Sequence, residues 1–266
     1  MKKVGWLCLA GLAMSASVWA ADDWDKIQEK KQIVIGVRDS SPPFGFFDKS
    51  KGSVSGYDIE FAQLVAKKLN LTPVFKTVDP ADRMPALKDG RVDVLFATFA
   101  KTKEREKEVE YSLGYFVSTQ KIVAKKGKFH DLLQLDSMTV CVPKGTTNAK
   151  YLQDLSQKVQ IKQLEDYAEV FKALSEGKCE FASGPEPTLL GNINKMANKA
   201  DFEVPDVPLA AEVYAVGMRK GQKRLQQQIN EALVDAEKSG EAAKIYDNWF
   251  GPKSPVPLMR TFKITQ

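Results

Sequence analysis

An arginine guanidinium is well shaped to hold a carboxylate, because its planar fork offers two parallel charge-assisted hydrogen bonds. Three arginines in the chain invite that chemistry. Arg38 follows a short β-branched run, Arg83 stands just before the segment MPALKDG, and Arg105 closes Thr102-Lys103-Glu104-Arg105. An acid at position 38 would recruit a cation, whereas an arginine recruits an anion. Arg105 lies among Lys101, Lys103, Glu106 and Lys107, so it is either a carboxylate clamp or one charge of a solvated helix. Arg38 and Arg83 likewise admit a reading as exposed charge. Gly145-Thr146-Thr147 follows a strand-like run and opens a helical one. The N–H groups of a helix start, with two hydroxyls, make an anion site; the same residues also serve as a plain N-cap.

Other chemistries are poorly supplied. His130 is the single histidine in 266 residues, and neither Cys141 nor Cys179 has a Cys or His partner at metal-ligand spacing. No metal and no cofactor are expected. Ser118-Thr119-Gln120-Lys121 and Ser175-Glu176-Gly177-Lys178 fit S-x-x-K but lack the companion motifs of a serine acyl-enzyme. Lys plus Arg number 39 against 34 Asp plus Glu, a net charge of +5, and the signs are interleaved from Lys101 to Glu110. Nucleic acid is therefore not an expected partner. A hydrophobic share of 43% with 27% charged residues describes an ordinary globular chain.

These residues need elements to position them. Lys2 and Lys3, an apolar run from Val4 to Met14, and Val18-Trp19-Ala20 form a basic n-region, an apolar h-region and a small-residue cleavage site. Residues 1–20 read as a cleaved signal peptide, and its loss lowers the +5 by two. Export would permit a disulfide between Cys141 and Cys179; two buried free thiols are the alternative. Strand-like Ile33 to Val37 ends at Ser40-Ser41-Pro42-Pro43. A helix through Phe61, Leu64, Val65 and Leu69 follows, then strand Thr72 to Val78, helix Met84 to Asp89 and strand Val92 to Ala97. The pattern repeats in strand Met138 to Val142, helix Thr147 to Leu155, strand Val159 to Leu164 and helix Tyr167 to Glu176. Such alternation predicts an α/β protein with parallel strands and helices on both faces. Leu225 to Ala236 and Ala242 to Trp249 predict two terminal helices, broken at Ser239-Gly240 and stopped by Gly251-Pro252. Lys253 to Gln266 reads as a Pro-rich tail laid over the surface. Phe44, Phe46 and Phe47 read as core more readily than as cleft lining.

The segment Gly56 to Leu69, GYDIEFAQLVAKKL, resembles the signature of the bacterial family 3 extracellular solute-binding proteins, the periplasmic amino-acid receptors of ABC importers. IVIGVRDSSPPFGFFD, DRMPALKDGRVDV, ATFAKTKEREKEVEYS, VPKGTT, VYAVGMRKG and SGEAAKIYDNWFG fall in the family's order. The resemblance implies a type II periplasmic-binding-protein fold, two α/β lobes joined by a two-strand hinge about a ligand cleft. Lobe one would be residues 21–114 plus 215–266, lobe two 120–209, and the hinge 115–119 and 210–214. It implies a periplasmic, monomeric receptor that closes on its ligand and hands it to an inner-membrane ABC permease.

The resemblance also assigns roles. Arg105 would hold the ligand α-carboxylate, with Thr146 and Thr147 reaching it from lobe two. Arg38 and Arg83 match positions by which glutamate/aspartate receptors grip the side-chain carboxylate. Three arginines in one cleft repel each other unless the ligand brings about two negative charges, which implies an acidic amino acid. Two departures stand out. Ala100 replaces a usual Thr or Ser, with Thr98 nearby as a substitute. Pro185 replaces the usual Asp for the α-ammonium, so either Glu186 supplies that carboxylate or the ligand is a dicarboxylate without an ammonium. An enzyme of the cyclohexadienyl or arogenate dehydratase kind on this fold is the competing class, and no catalytic set supports it.

Overall fold

The computed structural model describes residues 22–265, so the leader lies outside the described residues. Helix α1 (Trp24–Lys30) leads into β1 (Gln32–Val37). A small antiparallel sheet follows, formed by β2 (Ser40–Ser41), β3 (Gly45–Asp48) and β4 (Ser53–Ser55). Next come α2 (Tyr57–Lys68), β5 (Thr72–Thr77), α3 (Arg83–Lys88) and β6 (Val94–Phe96). The long β7 (Val109–Lys125) crosses to β8 (Thr139–Pro143), α4 (Asn148–Leu155), β9 (Gln160–Leu164) and α5 (Tyr167–Ser175). The chain continues through β10 (Phe181–Pro185), α6 (Glu186–Ile193) and the short β11 (Phe202–Glu203). It returns along β12 (Ala210–Arg219) and ends in α7 (Lys223–Lys238) and α8 (Glu241–Phe250).

The main sheet runs β5-β1-β6-β12-β7-β10-β8-β9. β5, β1 and β6 are parallel, as are β10, β8 and β9. Antiparallel β7 and β12 pass between these two halves. Purely parallel pairing therefore holds only within each half. The alternating strand and helix pattern anticipates this part, because right-handed crossovers return the chain parallel. β1 and β6 are covered on both faces and read as unbroken apolar runs, as buried parallel strands do. The segments Tyr115–Thr119 and Ala210–Tyr214 face each other in the ladder, with Val213 opposite Val117 and a register shift after Tyr214.

Each half has its own apolar filling. Ile33, Val37, Phe61, Val94, Ile229 and Leu233 pack on the β1 side. Val123, Val170, Phe171, Ala182 and Leu189 pack beyond β7. Phe44 is fully buried against Phe116, at 4.8 Å between ring centroids, while Phe47 is exposed. Cys141 and Cys179 form a disulfide, resolving the two alternatives, with Cα atoms 5.9 Å apart. Gly240, at φ 79°, breaks the helical stripe where α7 gives way to α8. The tail lies over the surface as expected, with residues 253–265 mostly exposed or half-buried, and is anchored at a few points. Val256 and Ile264 are buried, and Arg260 binds Glu237 at 2.5 Å, so apolar residues spaced along the Pro-rich segment dock it into the core.

Candidate binding cleft

Four strand ends converge on one narrow cavity between the two halves. Ligand sites in α/β sheets sit beyond the carboxyl ends of strands, where the chain leaves regular pairing and its polar groups are unspent. β1 leads to Arg38 and β6 to Thr98; β8 leads to Thr146 and Thr147, and β10 ends at Pro185. Arg83, at the start of α3, and Arg105 also line the cavity. So do Gln120 of β7 and Glu212 and Tyr214 of β12, with Asn148 and Tyr167 from α4 and α5.

The three arginines are placed by backbone oxygens. Arg38 is buried, donating through Nη1 to the Val78 carbonyl and through Nη2 to Ser40 Oγ at 2.8 Å. Its Nη1 also lies 3.4 Å from Asp79 Oδ1, and its Nε has no protein partner. Arg83 donates from Nε to Pro80 O at 3.0 Å and from Nη1 to Ala97 O at 2.9 Å and Thr98 O at 3.0 Å. Arg105 donates from Nη1 to Ala100 O at 3.0 Å and is also hydrogen-bonded to the Tyr111 side chain. Both Arg83 and Arg105 lie over the Phe99 ring, at 5.4 and 4.8 Å, so one aromatic face offsets part of their repulsion. Burial, and then the charges of Arg105 and Arg38, pull the Arg83 guanidinium down to about 9. Burial lowers Arg38 as well. Both remain cationic at neutral pH, in a place where charge is costly without an anion.

The two halves meet at the same point. Nη2 of Arg83 and of Arg105 donate to the carbonyl of Gly145, at 3.1 and 3.0 Å. Gly145 has φ 69°, and a Cβ there would fall 2.5 Å from Ala81 Cα. Only glycine lets the Gly145–Thr147 turn come this close to Pro80 and Ala81.

Thr98 is a β-branched residue at φ 48°, a strained conformation that persists where the surroundings impose it. Asp58 imposes it: Oδ2 accepts from Thr98 N at 2.8 Å, while Oδ1 accepts from the Tyr115 hydroxyl at 2.8 Å. Burial raises the Asp58 carboxyl to about 7.

Six of the seven residues singled out in the sequence line this cavity: Arg38, Arg83, Thr98, Arg105, Thr146 and Thr147. Glu186 does not. Its carboxylate binds Lys121 Nζ at 2.8 Å, and Lys121 also holds Asp206, so the side chain is drawn away to a buried lysine. The carboxylate that does line the cavity is Glu212, placed in the sequence only as part of a hinge strand. Gln120 Nε2 donates to its Oε2 and the Thr147 hydroxyl to its Oε1; Asn148 Nδ2 in turn donates to Gln120 Oε1 at 2.6 Å. One signal for Glu212 existed, a lone acid inside the apolar run LAAEVYAVG. Gln120 and Tyr167 carried none.

Residues 33–252 match the family described as bacterial extracellular solute-binding proteins, family 3. An ABC transporter glutamine-binding protein of Bacillus subtilis is 31% identical over 229 residues, covering 84% of this chain and 82% of the relative. An L-glutamate/L-aspartate-binding protein of Pseudomonas aeruginosa is 30% identical over 244 residues, covering 87% and 80%. Among solved structures, an ancestral arginine-binding protein bound to glutamine superposes with a TM-score of 0.79 at 32% identity, covering 83% of this chain and 98% of its own. The architecture is the type II periplasmic-binding-protein fold, two α/β lobes about a cleft. Its relatives are substrate-binding receptors, and the chain is a binding protein rather than an enzyme. With the match running from β1 to the end of α8, this protein belongs to the bacterial extracellular solute-binding proteins of family 3.

Proposed function

We propose that this protein is the periplasmic receptor of an ABC importer for an acidic amino acid, L-glutamate or L-aspartate. The observation that carries this reading is the charge of the lining: Arg38, Arg83 and Arg105 against Glu212 alone. An amide or cationic side chain leaves that excess buried and uncompensated, whereas a second carboxylate relieves it. Arg105 takes the α-carboxylate together with the Thr146–Thr147 turn, and Arg38 and Arg83 face the side-chain carboxylate. Residues 21–114 plus 215–266 form one lobe and 120–209 the other, hinged where β7 and β12 pair. The ligand docks on the first lobe, and closure brings the turn of the second onto it. The receptor acts as a monomer, and its closed complex is the form offered to an inner-membrane permease.

The names of the relatives divide between glutamine, glutamate/aspartate, arginine and cystine, so titration must decide. Isothermal titration of residues 21–266 with L-glutamate, L-aspartate, succinate, L-glutamine and L-arginine is expected to give the tightest binding with one of the two acidic amino acids. Heat with L-glutamine or L-arginine and none with any acid overturns the reading.

A further inference from the structure

We infer that Glu212 is the residue that holds the ligand α-ammonium, making the cleft selective for amino acids over diacids of the same length. The inference rests on the reading of the cleft as an amino-acid site. It starts from an imbalance: Glu212 is only 6% exposed, lines the cavity, and among the described residues is hydrogen-bonded only by neutral groups, the Gln120 amide and the Thr147 and Tyr151 hydroxyls, while the Arg83 charge acts on it without ion-pair contact. A buried carboxylate without a paired cation is strongly disfavoured. Three protein donors still leave an ionised carboxylate, with about four lone-pair sites, room for one more. A cation arriving in the cavity supplies what the protein does not.

The other carboxylates near the cleft are committed. Glu186 is held by Lys121, and Asp79 lies against Arg38. Pro185 reaches the cavity with no side-chain acceptor. Glu212 also sits where recognition can be coupled to closure. It belongs to β12, in the ladder opposite Ser118, and its Oε1 binds the Thr147 hydroxyl at the mouth of α4. Asn148 holds Gln120, and Gln120 holds the carboxylate; both are buried, so Glu212 has little freedom to turn away. The loss of the usual Asp at position 185 is thereby offset from a different strand, and the alternative of a ligand without an ammonium is no longer needed.

The test compares each amino acid with its des-amino analogue: L-glutamate with glutarate, L-glutamine with 5-amino-5-oxopentanoate, and L-arginine with 5-guanidinopentanoate. Affinities are measured by titration calorimetry on the wild type and on Glu212→Gln, a shape-conserving variant. The wild type is expected to prefer the amino acid by about thirtyfold or more, as for a buried charge pair. Glu212→Gln is expected to reduce that preference to about threefold or less. A wild type that binds an analogue as tightly as its amino acid overturns the inference with no variant needed. So does a folded Glu212→Gln protein, checked by its circular dichroism and melting, that keeps the full preference. Glu212→Asp serves if the glutamine variant fails to fold, and is expected to keep part of the preference. If only the glutamine or arginine pair binds, the acidic reading falls, and the ratio within that pair still decides Glu212. Binding of no amino acid at all overturns both.

Discussion

Replacing Gly145 with alanine tests whether the two halves must touch for the ligand to be held. The substitution has two separable costs. The first is backbone strain at φ 69°, about 1–2 kcal/mol, which is present in any arrangement of the halves and lowers stability alone. The second exists only when the halves meet. The new Cβ would stand 2.5 Å from Ala81 Cα and 2.8 Å from Pro80 O, so the Gly145 turn must retreat by ~1 Å to reach ordinary contact. Such a retreat carries the Gly145 carbonyl beyond hydrogen-bond reach of Arg83 and Arg105, now 3.1 and 3.0 Å away. Charge-assisted bonds are worth ~1.5–3 kcal/mol each. Allowing for water at the exposed Arg105 bond, closure weakens by about 2–4 kcal/mol, or about thirtyfold to a thousandfold in affinity. Gly127→Ala and Gly177→Ala are the matched controls, because their φ values are 68° and 70° and a Cβ at either meets nothing. Calorimetric affinity and the ligand-induced fall in radius of gyration by small-angle scattering are the readouts. The expected result is a melting loss shared by all three variants and an affinity loss confined to Gly145→Ala. Wild-type affinity and wild-type compaction in Gly145→Ala would refute the reasoning.

Glu186→Gln is expected to change ligand affinity by less than about threefold, because its partner is Lys121 and not the cavity; a loss of about tenfold or more would return Glu186 to the site. Asp58, with a carboxyl raised to about 7 by burial, holds a proton in the folded protein that the unfolded chain releases near pH 4. Its contribution to stability is therefore full below about pH 4 and declines as pH rises to about 7, by a few kcal/mol. Asp58→Asn removes that slope, so its melting temperature should gain on the wild type from pH 4 to 7; parallel melting profiles would refute the assignment. Removal of the disulfide by Cys141→Ala with Cys179→Ala opens a loop of 38 residues and should cost up to about 4 kcal/mol. Denaturant midpoints with and without reductant measure it, and a reductant-insensitive wild type would count against the bond.

Much of this protein could be read along the chain. Runs such as IVIGV and the stripe Leu225, Ile229, Ala232, Leu233 declare strand and helix because their periods are local properties of the residues themselves. The breaks at Gly240 and Gly251-Pro252 are local too, set by backbone conformation and a missing donor. The resemblance to a known family of receptors also rests on contiguous segments, and these carry six of the lining residues. What could not be read was which side chains share a space. Glu186 stood beside the position of the usual Asp, yet a lysine 65 residues earlier in the chain claims it. Glu212 looked like one residue of a linking strand, yet the β7–β12 ladder turns it into the cavity beside Gln120, 92 positions away. Cys141 and Cys179 left two alternatives open until β8 and the entry to β10 came side by side. The sequence by itself determined the strand and helix alternation within each half, the family and the arginines that attract an anion. Tertiary structure alone decided which carboxylate lines the cavity and which is taken up by a lysine, because a charge is satisfied by whatever lies within a few ångströms, and nearness along the chain does not set nearness in space.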